Sequence, residues 1–261
     1  MLVALVSLNQ AWENKDKNFQ ACRSFAQRAK AMGAELVIFP EMTLTAFSMN
    51  IGNTAEDYAN SLTVESFKEL AQEIQVAIIF GVVFRDADKA TKNVLLIDCN
   101  GKIKGRYSKI HPFTFAGEDN FFNGGNEICV AKLEMVTIGL TICYDLRFPE
   151  IYSALGMQSD LIINIANWPA KRVDHWNTLL KARAIETQVF VIGINRTGTD
   201  SKGLEYVKSS QAINPNGELL SPEASDDELD VFDIDPELIS KFRQTFSTTQ
   251  DRKSEFYKSI L

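Results

Sequence analysis

Residues 135–150 read MVTIGLTICYDLRFPE. The first eight, Met135 to Ile142, form a short apolar run rich in Val, Ile and Thr, the signature of a strand buried on both faces. The run stops at Cys143. Past Tyr144 to Phe148 come Pro149 and Glu150, and the grammar is now helical, since Pro is favoured at a first helical position and an acid in a first turn. A cysteine therefore sits on a strand-to-helix turn. Backbone N–H groups there can draw a thiol pKa from about 8.5 toward neutrality, and the same groups can hold an oxyanion. A buried cysteine can also be a plain small core residue, so a nucleophile at Cys143 requires a base elsewhere in the chain.

Working outward, the pattern alternates. Leu2–Leu8 reads as a first strand. Residues 15–32 place Phe19, Cys22, Phe25, Ala26 and Ala29 on one helical face, with Gly33 as the stop. Glu35–Phe39 is a second buried strand running into Pro40 and Glu41, Asp57–Gln75 a helix, and Val76–Phe84 a strongly apolar strand. Lys92–Asp98 and Lys102–Tyr107 form a hairpin around Asn100-Gly101, the signal of a type I′ turn. Ser108 to Asn126 is a Gly- and Phe-rich loop too irregular for an element, and loops this long are usually functional or disordered. Beyond the cysteine turn, Asp160–Ile165, Val189–Asn195, Val207–Ile213 and Glu228–Ile234 read as strands, with a helix at Asp174–Gln188. No repeat or linker interrupts the chain, so one domain over residues 1–261 is expected, ending in a charged, aromatic-bearing tail at 236–261. Parallel-type buried runs mixed with hairpins predict a layered α/β protein: two sheets face to face with helices outside.

Composition excludes some classes. A chain of 261 residues with 45% hydrophobic residues can bury a large core. Its net charge of -7, with no long Lys/Arg run, argues against nucleic-acid binding. Cys22, Cys99, Cys129 and Cys143 lie far apart with no CxxC pair, so they read as reduced thiols and not as a zinc or thioredoxin-like motif. The N-terminus has no basic n-region or cleavage site, and no apolar run reaches about 18 residues. A cytoplasmic protein with no membrane span is expected.

The usual partner of a catalytic cysteine is histidine, and only His111 and His175 are present. His175 lies in the apparent start of a helix beside Trp176, and His111 precedes Pro112 in the irregular loop. Glu41 is the better candidate. It follows a buried strand, in ELVIFPEMTLTAF, and strand C-termini are where α/β folds collect their sites. A partly desolvated carboxylate there can act as a base near neutrality. Lys109, in GRYSKIHPF at the end of the hairpin strand, is a cation that could hold a thiolate or an oxyanion.

Taken together, FPEMTLTAF around Glu41, YSKIHPF around Lys109 and ICYDLRFPE around Cys143 resemble the nitrilase superfamily of carbon–nitrogen hydrolases over nearly the whole chain. The resemblance implies Glu41 as general base, Lys109 as oxyanion-stabilising lysine and Cys143 as nucleophile. Glu118, in AGED, matches the second glutamate that the family places between lysine and cysteine. It also implies an α-β-β-α sandwich that pairs into a dimer, and amide hydrolysis through a thioester with no metal or organic cofactor. Separately, the apolar groups of the tail, Phe242, Phe246, Phe256 and Tyr257, are expected to form the interface of a symmetric homodimer. NWPAKRVDHW, KARAIETQ and INRTG look closest to ω-amidases acting on 2-oxo acid amides. The expected substrate is then a small amide bearing a distant carboxylate. Tyr144, Arg147, Phe113, Trp168 and Arg172 are expected to bind it, Arg147 being equally open to a structural ion pair with Asp145 or Glu150. Two rivals predict otherwise. A thiol-based redox protein would not need Glu41 or Lys109, and an interaction scaffold would turn over no amide.

Overall fold

Strand β1 (Leu2–Val6) shows how the layers arise. Ala4 and Val6 turn to one face and Val3 and Leu5 to the other, all fully buried, so both faces of its sheet need cover. In the computed structural model, which describes residues 1–260, β2 (Leu36–Ile38) and β3 (Ala77–Asp86) run parallel to it. β4 (Lys89–Ile97) and β5 (Ile103–Ser108) then fold back antiparallel. Leu229–Asp233 and Ala224–Asp226 complete the opposite edge, giving seven strands. The second sheet has five. β6 (Cys129–Leu133) lies at one edge, followed in space by β7 (Val136–Ile142), β8 (Leu161–Ala166), β9 (Phe190–Asn195) and Gln211–Ile213.

The expected layering is present. Val3, Leu5, Ile38, Ile79 and Leu96 pack against Ile138, Leu140 and Ile142 of the other sheet. On the outer face of the first sheet, Val37, Ile78, Phe80 and Leu95 meet Cys22, Ala26 and Ala29 of helix Lys15–Ala31 and Phe67, Leu70 and Ala71 of helix Leu62–Ile74. Phe67 stacks on Phe80 with centroids 4.1 Å apart. Helices Pro149–Gly156 and Val173–Thr187 cover the outer face of the second sheet through Tyr152, Leu155, Trp176 and Leu180. Pro149 takes the first position of its helix, and Gly33 ends the first helix at φ 85°, both as expected from sequence.

Some expectations need correction. A type I′ turn requires positive φ at both Asn100 and Gly101, but only Gly101 has it, at 76°. The Asp98 carboxylate accepts from the N–H groups of Asn100 and Lys102 and organises a different turn, with the register slipping between Leu96 and Ile97. The hairpin partners β6 and Ala224–Asp226 were not legible, being short, half-exposed edge strands. The run Val207–Ile213 pairs only over Gln211–Ile213. The charged tail contains helices Glu237–Thr245 and Ser254–Ile260, and its last residue, Leu261, lies outside the described residues. No helix among the described residues is long and apolar enough to cross a membrane.

One glycine ties the first sheet to the segment after β2. A Cβ on Gly81, in the middle of β3, would lie 2.5 Å from the Met42 nitrogen and 3.1 Å from the Glu41 Cα. Gly81 also exchanges hydrogen bonds with Thr43, donating to its hydroxyl and accepting from its N–H. Gly81→Ala should therefore cost about 1–3 kcal/mol in urea unfolding and displace Glu41, whereas Gly203→Ala, with nothing within 4 Å, should not disturb that segment.

Candidate active site

The C-terminal ends of β2, β7 and β8 point to one region, where the chain leaves the sheets and backbone groups become available for side chains. Glu41 is two residues beyond Phe39 and is 1% exposed. Its backbone is clamped: the Gln10 amide donates to the carbonyls of Glu41, Met42 and Thr43 at 3.0–3.1 Å. From the second sheet, Asn167 donates its N–H to Glu41 Oε2 at 3.1 Å and its Nδ2 to the Glu41 carbonyl at 2.7 Å. One residue thus bridges the two sheets at the carboxylate.

Lys109 follows β5 and is held by the Glu118 carboxylate at 2.8 and 3.0 Å, with Glu41 Oε1 at 3.5 Å. Burial works against the Lys109 ammonium, but Glu118, Glu41 and the Cys143 sulfur outweigh it and hold the ammonium above the usual lysine range. Burial likewise disfavours the Glu118 carboxylate, yet Lys109 and Lys92 prevail and lower its pKa to about 2. Glu118 therefore stays ionised in a fully buried position. It reaches the site because the irregular loop folds into two short 3₁₀ turns, Thr114–Ala116 and Glu118–Asn120.

Cys143 has φ 47°, a left-handed backbone uncommon for a residue with a side chain. Between strand and helix lies the turn expected from sequence, and it takes the form of a 3₁₀ turn, Cys143–Arg147. Asp145, fully buried, organises that turn. It accepts from the Ile142 N–H at 3.0 Å, the Tyr107 hydroxyl at 2.8 Å, and the His111 N–H and ring Nδ1 at 3.1 and 2.9 Å. The segment carrying Lys109 is thereby tied to the cysteine turn. Burial first, and the Glu41 charge second, push the Cys143 thiol well above its ordinary pKa, against the pull of Lys109. The resting group is the thiol, so a nucleophilic sulfur must give up its proton during attack.

Cys143, Lys109 and Glu118 line one cavity of about 180 Å³, and Phe113, Tyr144 and Trp168 wall it. Phe113 and Tyr144 pack with centroids 4.8 Å apart. Arg147, Lys171 and Arg172 stand on the same cavity. Arg147 makes neither of the ion pairs considered from sequence: it meets His175 Nδ1 at 3.2 Å and lies over the Trp168 ring at 4.9 Å. Arg172 lies 5.6 Å from the Phe113 ring centre. Phe115 lines the rim but is largely exposed. Both histidines are engaged, His111 with Asp145 and stacked on Phe148, His175 with Arg147. No group of three His, Cys, Asp or Glu side chains placed to hold a metal occurs among the described residues.

Sequence reasoning missed Lys92, Gln10, Asn167, Asp145 as an organiser, and Tyr206, which lines the cavity. Lys92 carried one usable signal, a lysine inside the apolar run ATKNVLLI; the others carried none, because their roles depend on contacts across the fold.

A carbon-nitrogen hydrolase family model matches residues 2–244. The ω-amidase YafV of Escherichia coli is 33% identical over 226 residues, covering 84% of each chain. A deaminated glutathione amidase of Dictyostelium discoideum is 30% identical, over 94% of this chain and 91% of its own. The crystal structure of XC1258 from Xanthomonas campestris, a CN-hydrolase superfamily protein, superposes with a TM-score of 0.88 at 27% identity over 97% of both chains. With these folds and sequences in common, the chain belongs to the carbon–nitrogen hydrolase family, the nitrilase superfamily anticipated from its motifs, and is a hydrolase acting on amides.

The low pKa of Glu118 has a measurable consequence. Its carboxylate titrates at about 2 in the fold against 4.5 when free, so its stabilisation is complete above pH 4.5 and is lost as the pH falls through 2. Urea unfolding should show a loss of roughly 3 kcal/mol across that window, and Glu118→Gln should flatten that part of the curve.

Proposed function

We propose that this hydrolase is an ω-amidase that cleaves the terminal amide of a small 2-oxo dicarboxylic acid monoamide and releases ammonia. The observation that carries the substrate class is the cavity itself. Cys143 and Lys109 line it, its walls are aromatic, and Arg147, Lys171 and Arg172 stand on it without a carboxylate partner among the described residues. Unpaired cations on an otherwise apolar cavity suit a substrate that carries its own carboxylate.

In this reading Cys143 attacks the amide carbon while Glu41 takes the thiol proton. Lys109 and the Tyr144 N–H hold the oxyanion. The tetrahedral intermediate collapses, the amide nitrogen leaves as ammonia with the proton from Glu41, and a thioester remains on Cys143. Water, deprotonated by Glu41, hydrolyses the thioester to the carboxylic acid and restores the thiol. Glu118 keeps Lys109 in position. No step calls on a cofactor.

We also propose a homodimer assembled through the tail, where Phe246, Phe256, Tyr257 and Ile260 are 64%, 55%, 40% and 61% exposed, and a cytoplasmic setting suited to four free cysteines. Sedimentation at micromolar concentration should give twice the chain mass, and deleting residues 246–261 should halve it.

Ammonia release over a panel of amides tests the substrate. Monoamides of 2-oxo dicarboxylic acids should exceed amides of equal length without the carboxylate by about 10–100-fold in kcat/KM, as expected for one charged hydrogen-bonded pair. Arg172→Ala should raise KM and leave kcat near its starting value. Cys143→Ala should abolish turnover, Glu41→Gln should cost at least about 10²-fold, and Lys109→Ala a similar or larger factor. Glu41→Gln added to Cys143→Ala should lose little more than Cys143→Ala alone. Preference for the bulkier glutathione-derived amide would overturn the substrate class while leaving the chemistry intact.

A further inference from the structure

Lys92, inside β4, and Lys109, just past the end of β5, face each other on adjacent strands. The ladder between β4 and β5 pairs Asn93 with Ser108, and one step further the Lys109 N–H donates to the Lys92 carbonyl at 2.9 Å. Like charges directly opposite one another are destabilising, and both side chains are 2% exposed. Such a pair persists only if anions lie between them. Lys92 Nζ is 3.3 Å from Glu41 Oε1 and 3.1 Å from Glu118 Oε1, so both carboxylates are shared by both lysines. The ring centres of Phe47 and Phe122 lie 3.9 and 4.8 Å from the Lys92 ammonium, close enough for cation–π attraction.

We infer that Lys92 is a positioning residue of this reaction, holding Glu41 and Glu118 and supplying the positive charge that lets Lys109 turn toward the oxyanion. The inference rests on the function proposed above and explains why this site carries a second buried lysine. With two carboxylates and two ammonium groups the cluster is neutral at rest. When sulfur attacks, the thiol proton moves to Glu41 and one negative charge appears on the oxyanion, so the site is neutral again. Without Lys92 it would hold an excess negative charge in both states. As Lys109 is drawn to the oxyanion, Glu118 keeps Lys92 as its partner and is not left as an unpaired buried carboxylate.

The groups that bear on the Cys143 thiol are Glu41, Glu118, Lys109, Lys92 and the Tyr206 phenol, and Lys92 acts to lower the thiol pKa. Removing its charge raises that pKa and moves the onset of thiolate formation upward. The test is the pH dependence of Cys143 alkylation by iodoacetamide, followed by mass spectrometry, on the folded full chain. Lys92→Met, which keeps length and loses charge, should shift the onset of alkylation to higher pH. It should also lower kcat at least about tenfold with little change in KM. Lys92→Arg, which keeps the charge, should leave the curve in place. If Lys92→Met does not fold, Glu118→Gln is compared with Glu118→Gln/Lys92→Met, a pair that loses one charge of each sign, and the second should be shifted up relative to the first. An unshifted curve in the folded comparison, or a shift in Lys92→Arg equal to that in Lys92→Met, overturns the assignment. Alkylation needs no amide, so failure to turn over any amide would sink the proposed function and leave this result standing.

Discussion

Four charges without water dictate much of this molecule. Glu41, Lys92, Lys109 and Glu118 are each 2% exposed or less. A buried ion loses its hydration, at an effective cost of several kcal/mol even after relaxation. The cluster is tolerated because every charge has two partners of opposite sign within 3.5 Å. Removing any one leaves an uncompensated charge, so four separate parts of the chain must arrive together. The loop after β2, the first half of β4, the residue that follows β5, and the 3₁₀ turn at Glu118–Asn120 all meet there.

The sandwich makes that convergence possible. Its two sheets present strand ends from both layers to the same region, and the hydrogen bonds from Asn167 at the end of β8 to Glu41 at the end of β2 join them across the interface. Asp145 does the same for the turn at Cys143, since one carboxylate binds the last strand residue before Cys143, the Tyr107 hydroxyl of β5 and His111. Stability and reactivity draw on the same bonds here. The left-handed backbone of Cys143 is a local cost, and these surrounding bonds can sustain it.

The closed setting also explains the division of chemical labour. Burial raises the thiol pKa of Cys143, so in the proposed mechanism the proton leaves as the bond forms, and Glu41 is the carboxylate that receives it and returns it. Because the charge cluster is balanced, the cavity above it can be apolar and small. In the proposed reading, selection for a carboxylate then falls to the cations Arg147, Lys171 and Arg172 that stand on the cavity.

Much of this was legible in the chain. Apolar runs bounded by punctuation marked β1, β3, β7, β8 and β9, and motifs around Glu41, Lys109 and Cys143 marked the family, because burial on both sheet faces and the demands of a strand-end turn are written in local residue types. What local pattern could not convey is pairing across distance. Lys92 reads as a strand lysine until β5 sets Lys109 opposite it, and Asn167 and Gln10 read as loop residues until they close on Glu41. Asn-Gly favours a type I′ turn, but the nearby Asp98 carboxylate organises another. By itself the sequence determined the layers, the main buried strands and the candidate reactive groups, since these depend on side-chain polarity and backbone preference. Only the tertiary structure decided which charges balance which, because neutrality in a dry site is a property of the assembled cluster and not of any one segment.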